Sequence, residues 1–269
     1  MGKIVWLASY PKSGNTWLRV FLHNYITQAA TPHSINRLTD FSLAECAAAL
    51  FHAPGETLSD EAVQKNRPRV HAELAGLGPE LVFVKTHNAN LAVHGVALVT
   101  PEVTAGAVYV VRDPRDVAVS YAAYLGRDVD ETIRFMAAPG AVNGTDEAQV
   151  FELLSSWSGH VRSWVGGRQR LLVRYEDLVA EPERYFARII RYLGTGEVDQ
   201  ARLTRAIGFS SFAELAGQEA RDGYEASGGQ GRFFRAGRVG VWREALSPAQ
   251  AARIERDHGE VMGRLGYLA

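Results

Sequence analysis

The chain has 269 residues, of which 46% are hydrophobic and 22% are charged. This length and composition are typical of a globular protein with one or two domains, and they exclude disordered, collagen-like and fibrous proteins. The 29 basic residues nearly balance the 30 acidic ones, so the formal net charge is -1. Because the net charge is so small, no global field draws the chain onto nucleic acid or an acidic membrane. A local cluster of basic groups must bind any anionic ligand.

The single cysteine, Cys46, cannot form an internal disulfide, and its apolar sequence neighbours favour packing over a nucleophilic role. No uninterrupted apolar run reaches about 18 residues, so we expect no membrane span. The N-terminal segment carries too short an apolar stretch for a secretory signal. These features predict a cytoplasmic protein.

Short apolar runs rich in β-branched residues alternate with helical patterns along the chain. The predicted strands are 3–8, 81–85, 108–111 and 171–175, and the predicted helices are 16–30, 116–125, 150–165, 182–193 and 248–265. Continuous apolar runs are typical of strands buried on both faces of a parallel sheet. We therefore expect an α/β fold with a central parallel sheet flanked by helices. Because no repeat or linker divides the chain, we expect one domain over 1–269, with mobile segments near 138–145 and 222–236.

The first predicted strand leads into the sequence SYPKSGNTW, residues 9–17, before a helix begins. A glycine-containing loop at such a junction turns backbone N–H groups toward an anion, and the helix N-terminus adds a favourable dipole. Lys12 supplies a positive charge, and Ser13, Asn15 and Thr16 supply further hydrogen-bond donors. The loop differs from a Walker A loop, in which the lysine follows the last glycine. It favours phosphate binding over a plain strand–turn–helix junction with a solvated lysine.

Two further strand ends carry basic residues. Lys85 and His87 follow the second predicted strand, and Arg112 follows the third. Because the carboxyl ends of parallel strands line the ligand crevice of an open sheet, we expect these side chains to face the same site as the first loop. A histidine can act as a general base at neutral pH, although an isolated one is more often structural. Asp113 followed by Pro114 predicts a helix N-cap.

The segment FFRAGRVGVW, residues 233–242, places arginines among glycines. Guanidinium groups and glycine amides can bind one phosphate together. The glycine-rich residues 222–231 precede this segment, which favours ordering on ligand binding over a passive surface loop.

Taken in chain order, the motifs YPKSGNTW, KTH, RDPRDVAVSY and FFRAGRVGVW resemble those of the sulfotransferases that use 3′-phosphoadenylyl sulfate (PAPS), of the cytosolic and bacterial natural-product types. The resemblance covers residues 9–242. It implies a P-loop-like sulfotransferase fold and transfer of a sulfonate group from PAPS to a hydroxyl group of an organic acceptor, releasing adenosine 3′,5′-bisphosphate (PAP). It also implies that His87 is the catalytic base and that no metal takes part. Lys12 would contact the sulfuryl-bearing phosphate and the bridging oxygen, and Lys85 would contact the transferring group.

The same resemblance implies a donor site in three parts. The residues at the 5′-phosphosulfate are Lys12, Ser13, Gly14, Asn15 and Thr16; those around the adenine are Trp17, Tyr175, Ser210 and Phe212; those at the 3′-phosphate are Arg112, Ser120, Arg235, Ala236 and Gly237. Ala236 and Val241 depart from the family pattern, which often has lysine and aspartate there. One expected cation is thus absent, and whether Arg238 replaces it is open.

Two other functions remain open at the level of sequence. The first is a P-loop-like nucleotide kinase, but the chain lacks the GK[ST] sequence, and no clear magnesium-binding carboxylate follows a strand. The second is a non-catalytic nucleotide-binding module, but such a module has no need of a base such as His87 together with Lys12 and Lys85. The expected partner is a small-molecule or natural-product hydroxyl acceptor, with neither the acceptor nor the oligomeric state determined.

Overall fold

The protein is described by a computed structural model that covers residues 2–53, 58–166, 169–194, 196–225 and 231–268. These residues form two compact units. The first unit comprises residues 1–10, 42–109 and 135–172, and the second comprises residues 11–41, 110–134 and 173–269. A single sulfotransferase domain over the whole chain stays a prediction.

Strands and helices alternate along the chain. The strands are β1 (Lys3–Ser9), β2 (Ser42–Ala44), β3 (Leu81–Thr86), β4 (Ala92–Val93), β5 (Val96–Ala97), β6 (Thr104–Val111), β7 (Val142–Asn143), β8 (Glu152–Leu153) and β9 (Arg170–Arg174). The helices are α1 (Asn15–Ile26), α2 (Asp60–Ala75), α3 (Pro114–Leu125), α4 (Val129–Ala137), α5 (Trp157–Trp164), α6 (Tyr175–Ala180), α7 (Pro182–Tyr192), α8 (Gln200–Phe209), α9 (Phe212–Asp222), α10 (Trp242–Ala245) and α11 (Pro248–Arg264). The four predicted strands are confirmed as β1, β3, β6 and β9.

The main sheet has five strands in the order β2-β3-β1-β6-β9. β1 pairs with β3 in parallel, with Ala8 opposite Thr86, so the two strands end at the same edge of the sheet. β1 is buried along its length after its first residue, as its continuous apolar sequence predicts. The predicted α/β class with a central parallel sheet and flanking helices is confirmed.

The predicted helix over 150–165 is wrong in its first half, where β8 pairs with β7 instead. The Leu153 N–H donates to Asn88 Oδ1 at 2.7 Å, a tertiary contact that a helix would break. Ser155 has a φ of 59°, which interrupts any helix at that point. Ser156 then caps α5, so the helix begins only after the strand.

The structure describes the two segments predicted to be mobile to different extents. The first, 138–145, contains β7. In the second, 222–236, residues 226–230 lie outside the described residues. The mobility of both segments stays a prediction.

A buried ion pair in the first unit supports the chain on both sides of His87. Arg67 Nη1 lies 2.6 Å from Glu45 Oε2, and neither side chain is exposed. The other Glu45 oxygen accepts hydrogen bonds from the Thr86 hydroxyl, at 3.0 Å, and from the Asn88 amide. Buried charges are tolerated only when they are paired and hydrogen-bonded, so this network resists local rearrangement.

A second ionic network lies in the second unit around the start of α3. Asp113 caps the helix by accepting the Arg115 N–H, with Pro114 in the first turn, which confirms the predicted cap. The Arg115 guanidinium lies 2.7 Å from Asp113 and 2.6 Å from Glu255 on α11. Arg115 is therefore a structural residue that ties α11 to α3.

None of the described helices is both long and apolar enough to cross a membrane.

Candidate active site

The loop between β1 and α1 has the backbone of an anion site. Lys12 and Gly14 have φ values of 63° and 105°, in the left-handed region. Helix α1 begins after Gly14 without a side-chain cap and without an acidic residue in its first turn. Its first N–H groups and the positive end of its dipole therefore suit an anion. Ser13 Oγ is buried and has no hydrogen-bond partner among the described residues, which fits a group that donates to a bound phosphate.

The Lys12 ammonium is enclosed by aromatic rings of the second unit. Its Nζ lies 3.6 Å from the centre of the Phe233 ring and 4.3 Å from that of Tyr124, within cation–π range. Burial, followed by the charges of Arg112 and Arg235, lowers the pKa of Lys12 to about 7. Part of the Lys12 population is thus neutral at physiological pH, and a bound anion raises this pKa again.

Arg112 connects the β1 loop to the C-terminal glycine-rich segment. Its Nη1 donates to the Lys12 carbonyl and its Nη2 to the Arg238 carbonyl, each at 3.2 Å. The guanidinium lies 4.5 Å from the centre of the Tyr175 ring. Its Nε is buried without a partner among the described groups, so its N–H can donate a hydrogen bond to a bound anion.

The segment 233–242 is anchored by Asp116, which the sequence analysis did not single out. The Asp116 carboxylate accepts the N–H groups of Gly240, at 2.8 Å, and Trp242, at 2.9 Å. The Arg238 side chain is 57% exposed and pairs with Glu244 at 2.6 Å. Arg238 is thus engaged with a carboxylate in this structure.

Two glycines allow close approaches that a larger residue would block. A Cβ atom on Gly14 would lie 2.8 Å from the Tyr175 ring, and one on Gly237 would lie 2.2 Å from the Phe212 ring. Both glycines have positive φ values. These positions bring the β1 loop against Tyr175 and the C-terminal segment against Phe212.

The first unit holds the other reactive group, His87. Its Nδ1 lies 2.7 Å from the Ser9 carbonyl oxygen, and a carbonyl only accepts hydrogen bonds. Nδ1 therefore carries the proton, and Nε2 has the lone pair. Burial, followed by the charge of Lys85, lowers the pKa of His87 to about 3, so the ring is neutral at physiological pH.

The peptide groups of His87 are fixed on both sides. Its N–H donates to Glu152 Oε1 at 2.9 Å, and its carbonyl lies 3.0 Å from His160 Nε2. The Tyr109 hydroxyl is 2.8 Å from His160 Nδ1 and completes the chain of contacts. Burial lowers the pKa of His160 to about 4, so this ring is also neutral. Preorganised contacts of this kind hold a reactive ring in one orientation.

Comparison with known protein families decides the identity. The Sulfotransferase domain model matches residues 3–266. The chain belongs to the sulfotransferase family. The resemblance that the sequence motifs indicate is confirmed, and the chain is a PAPS-dependent sulfotransferase, with PAPS as its co-substrate.

Known sulfotransferases share this architecture. Cytosolic sulfotransferase 13 of Arabidopsis thaliana is 24% identical over 273 residues, which cover 93% of this chain and 74% of the relative. Retinol dehydratase in complex with retinol and PAP has a TM-score of 0.66 at 19% identity, over 96% of this chain and 81% of that chain. A mouse sulfotransferase in complex with PAP has a TM-score of 0.60 at 20% identity, over 97% of this chain and 84% of that one. These structural likenesses show the shared fold.

The structure of this sulfotransferase brings some predicted residues together. In the second unit, one loop and the first turn of α1 hold Lys12, Ser13, Gly14, Asn15, Thr16 and Trp17. Arg112 contacts Lys12 and Tyr175, and Tyr175 also contacts Trp17. Phe212 meets Gly237, and Arg235 lies close enough to lower the pKa of Lys12. In the first unit, Lys85 and His87 share Glu152.

Other predicted residues have less direct support. The Ser210 hydroxyl is buried and donates to the Ala206 carbonyl at 2.9 Å, so its proton is already engaged. Ser120 is half-buried on α3, and Ala236 is exposed beside Arg235. Cys46 is buried as predicted, and burial raises its pKa, so the thiol stays protonated. Among the described residues, no group of three or more His, Cys, Asp or Glu side chains is arranged to hold a metal ion.

Proposed function

We propose that this sulfotransferase moves a sulfonate group from PAPS to a hydroxyl group of a small organic acceptor, with His87 as the general base. The observation that carries this proposal is the hydrogen bond from His87 Nδ1 to the Ser9 carbonyl. It leaves Nε2 as the basic nitrogen, and the low pKa of His87 keeps that nitrogen unprotonated. The unprotonated Nε2 can accept the proton of an acceptor hydroxyl, and the lowered pKa makes it a weaker base than a free imidazole.

The second unit supplies the groups that we assign to the donor. The amides of the β1 loop and the start of α1, with Ser13 and Lys12, bind the 5′-phosphosulfate. Arg112, with its unpartnered Nε, binds the 3′-phosphate together with Arg235. The aromatic side chains of Trp17, Tyr175 and Phe212 surround the adenine, and Asn15, Thr16, Ser120, Ser210, Ala236 and Gly237 complete the assigned set.

The proposed reaction is an in-line displacement at sulfur. The acceptor oxygen forms a bond to sulfur while the bond from sulfur to the 5′-phosphate oxygen breaks, and PAP leaves. His87 Nε2 takes the proton of the acceptor hydroxyl. Lys12 neutralises the charge that grows on the leaving phosphate, and Lys85 neutralises the charge on the sulfonate oxygens. Catalysis by these groups consists mainly of positioning and charge stabilisation.

The proposal also includes a small organic acceptor and a cytoplasmic location. The retinol dehydratase solved with retinol and PAP binds retinol, a small apolar alcohol, which supports a small organic hydroxyl acceptor here. Several curated relatives are named as cytosolic enzymes, which supports a cytoplasmic location. The oligomeric state is left open.

Calorimetric titration with PAP, adenosine 5′-monophosphate and ATP tests the donor assignment. PAP is expected to bind at least ~10-fold more tightly than adenosine 5′-monophosphate, since charge-assisted hydrogen bonds to Arg112 add ~1.5–3 kcal/mol. Equal or tighter binding of ATP would contradict the assignment and favour a nucleotide kinase. Turnover is then measured as PAP release from PAPS over a panel of phenols and alcohols.

Gly237→Ala is expected to lower PAP affinity by at least ~10-fold. The new Cβ would lie 2.2 Å from the Phe212 ring, and the residue has a positive φ, so either the Phe212 ring or the segment 233–242 must move from its place. Gly208→Ala is the matched control, because a Cβ at Gly208 on α8 meets no atom within 4 Å. Unchanged PAP affinity in Gly237→Ala would show that this segment does not contribute to the donor site.

A further inference from the structure

We propose that Glu152 is a positioning residue for sulfonate transfer: one of its carboxylate oxygens holds both the Lys85 ammonium and the His87 backbone. This role rests on the function proposed above and deepens it. Glu152 lies outside the four sequence motifs of the family.

The contacts of Glu152 converge on the two residues that we assign to the transfer step in this unit. Its Oε1 lies 3.3 Å from Lys85 Nζ and accepts the His87 N–H at 2.9 Å. The Lys85 ammonium also lies 3.9 Å from the Cys46 sulfur. A single side chain therefore fixes the distance between the Lys85 ammonium and the peptide that carries His87.

Burial makes this carboxylate effective as an anchor. The Glu152 side chain is 1% exposed and the Lys85 side chain is 13% exposed. Burial by itself raises the pKa of Glu152, but Lys85 and His87 overcome this effect and hold it at about 2. The carboxylate is therefore charged at neutral pH. A lysine on a flexible stem loses its freedom when such a partner holds its head group.

The backbone around Glu152 is itself held in register with the chain after β3. The Leu153 N–H donates to Asn88 Oδ1 at 2.7 Å, and the Ala89 N–H donates to the Leu153 carbonyl at 2.7 Å. These bonds tie Leu153, the residue next to Glu152, to the residues that follow His87. The backbone of Glu152 cannot shift without breaking these bonds. Tertiary contacts, in addition to the side-chain rotamer, therefore determine where the carboxylate lies.

Glu152→Gln tests this role because it keeps the shape and an oxygen acceptor but removes the charge that attracts Lys85. We expect kcat to fall by about 10²-fold, the size of effect that a small misplacement of reacting groups produces. PAP affinity is expected to stay close to that of the wild type. The melting temperature is expected to fall, because the mostly buried Lys85 ammonium loses its charged partner. Glu73→Gln is the matched control, because it removes the same charge from an exposed pair with Arg69 in the same unit.

A double-mutant cycle with Lys85→Met separates positioning from a general structural role. If Glu152 acts mainly through Lys85, Glu152→Gln costs at least ~10-fold less in the Lys85→Met background than in the wild type. A loss of the same size in both backgrounds, or a kcat for Glu152→Gln within ~2-fold of wild type, would overturn the role. If Glu152→Gln does not fold, Glu152→Asp is used instead. It keeps the negative charge but shortens the side chain by one methylene group, which moves the carboxylate away from Lys85. A wild-type kcat in that variant would also overturn the role.

The wild-type enzyme is assayed first for PAP release from PAPS. Transfer by the wild type together with an unaffected Glu152→Gln variant would contradict only the role of Glu152. Absence of transfer over the acceptor panel would contradict the proposed function, and the role of Glu152 with it.

Discussion

Replacement of His87 by asparagine is expected to lower kcat by about 10²–10⁴-fold, the usual contribution of a positioned general base. An asparagine amide can still donate to the Ser9 carbonyl, but it offers no basic nitrogen in place of Nε2. His87→Ala is expected to show a loss in the same range. PAP release from PAPS at saturating acceptor measures the effect.

PAP binding separates a catalytic loss from a structural one. Both His87 variants are expected to keep a PAP affinity within a few-fold of wild type, because the groups that we assign to PAP lie in the other compact unit. His94→Asn is the matched control: His94 is exposed, and its positive φ of 50° suits asparagine. Loss of PAP binding in a folded His87 variant, or a kcat within ~10-fold of wild type, would contradict the assignment of His87 as the base.

Lys12→Met is expected to lower kcat by about 10²–10³-fold, comparable to the loss of one preorganised donor to a developing negative charge. Methionine keeps much of the apolar stem between the Phe233 and Tyr124 rings, so the fold of the loop is expected to survive. Donor affinity is expected to fall as well, since the ammonium contacts the ground-state phosphosulfate in our assignment. Lys65→Met, which removes an exposed partner of Glu61, is the matched control.

The pH dependence provides an independent test of Lys12. Its pKa is lowered to about 7 in the free enzyme, so the ammonium is present below pH 7 and is lost as the pH rises. The value of kcat/KM for PAPS is therefore expected to fall at alkaline pH, up to tenfold per pH unit, and this limb is expected to disappear in Lys12→Met. His87, with its pKa of about 3, is expected to add no acid limb above pH ~5. A flat alkaline profile in the wild type would contradict the protonated role of Lys12.

Some features of the site were predictable because short stretches of chain encode them. The loop residues from Lys12 to Thr16 are consecutive, and Asp113 caps α3 through a contact two residues away. Strand ends such as Lys85–His87 follow apolar runs that are recognisable by themselves. Local patterns of this kind depend on neighbours in sequence and need no knowledge of the rest of the fold.

Glu152 shows why other features were not predictable. Its segment has helical periodicity, but it pairs with β7 as a strand. Hydrogen bonds between Leu153 and the residues after β3 hold this strand where the carboxylate meets Lys85. Asp116 likewise meets the amides of Gly240 and Trp242 across more than a hundred residues of sequence. Such long-range contacts override local preference when they satisfy buried polar groups.

The sequence by itself determined the α/β class, the order of the strand-end motifs and the family to which the chain belongs. Only the tertiary structure decided which nitrogen of His87 is basic, how far the pKa of Lys12 falls, and which carboxylate holds Lys85. The physical reason is that protonation state and orientation depend on burial and on the charges nearby, and those are properties of the folded chain.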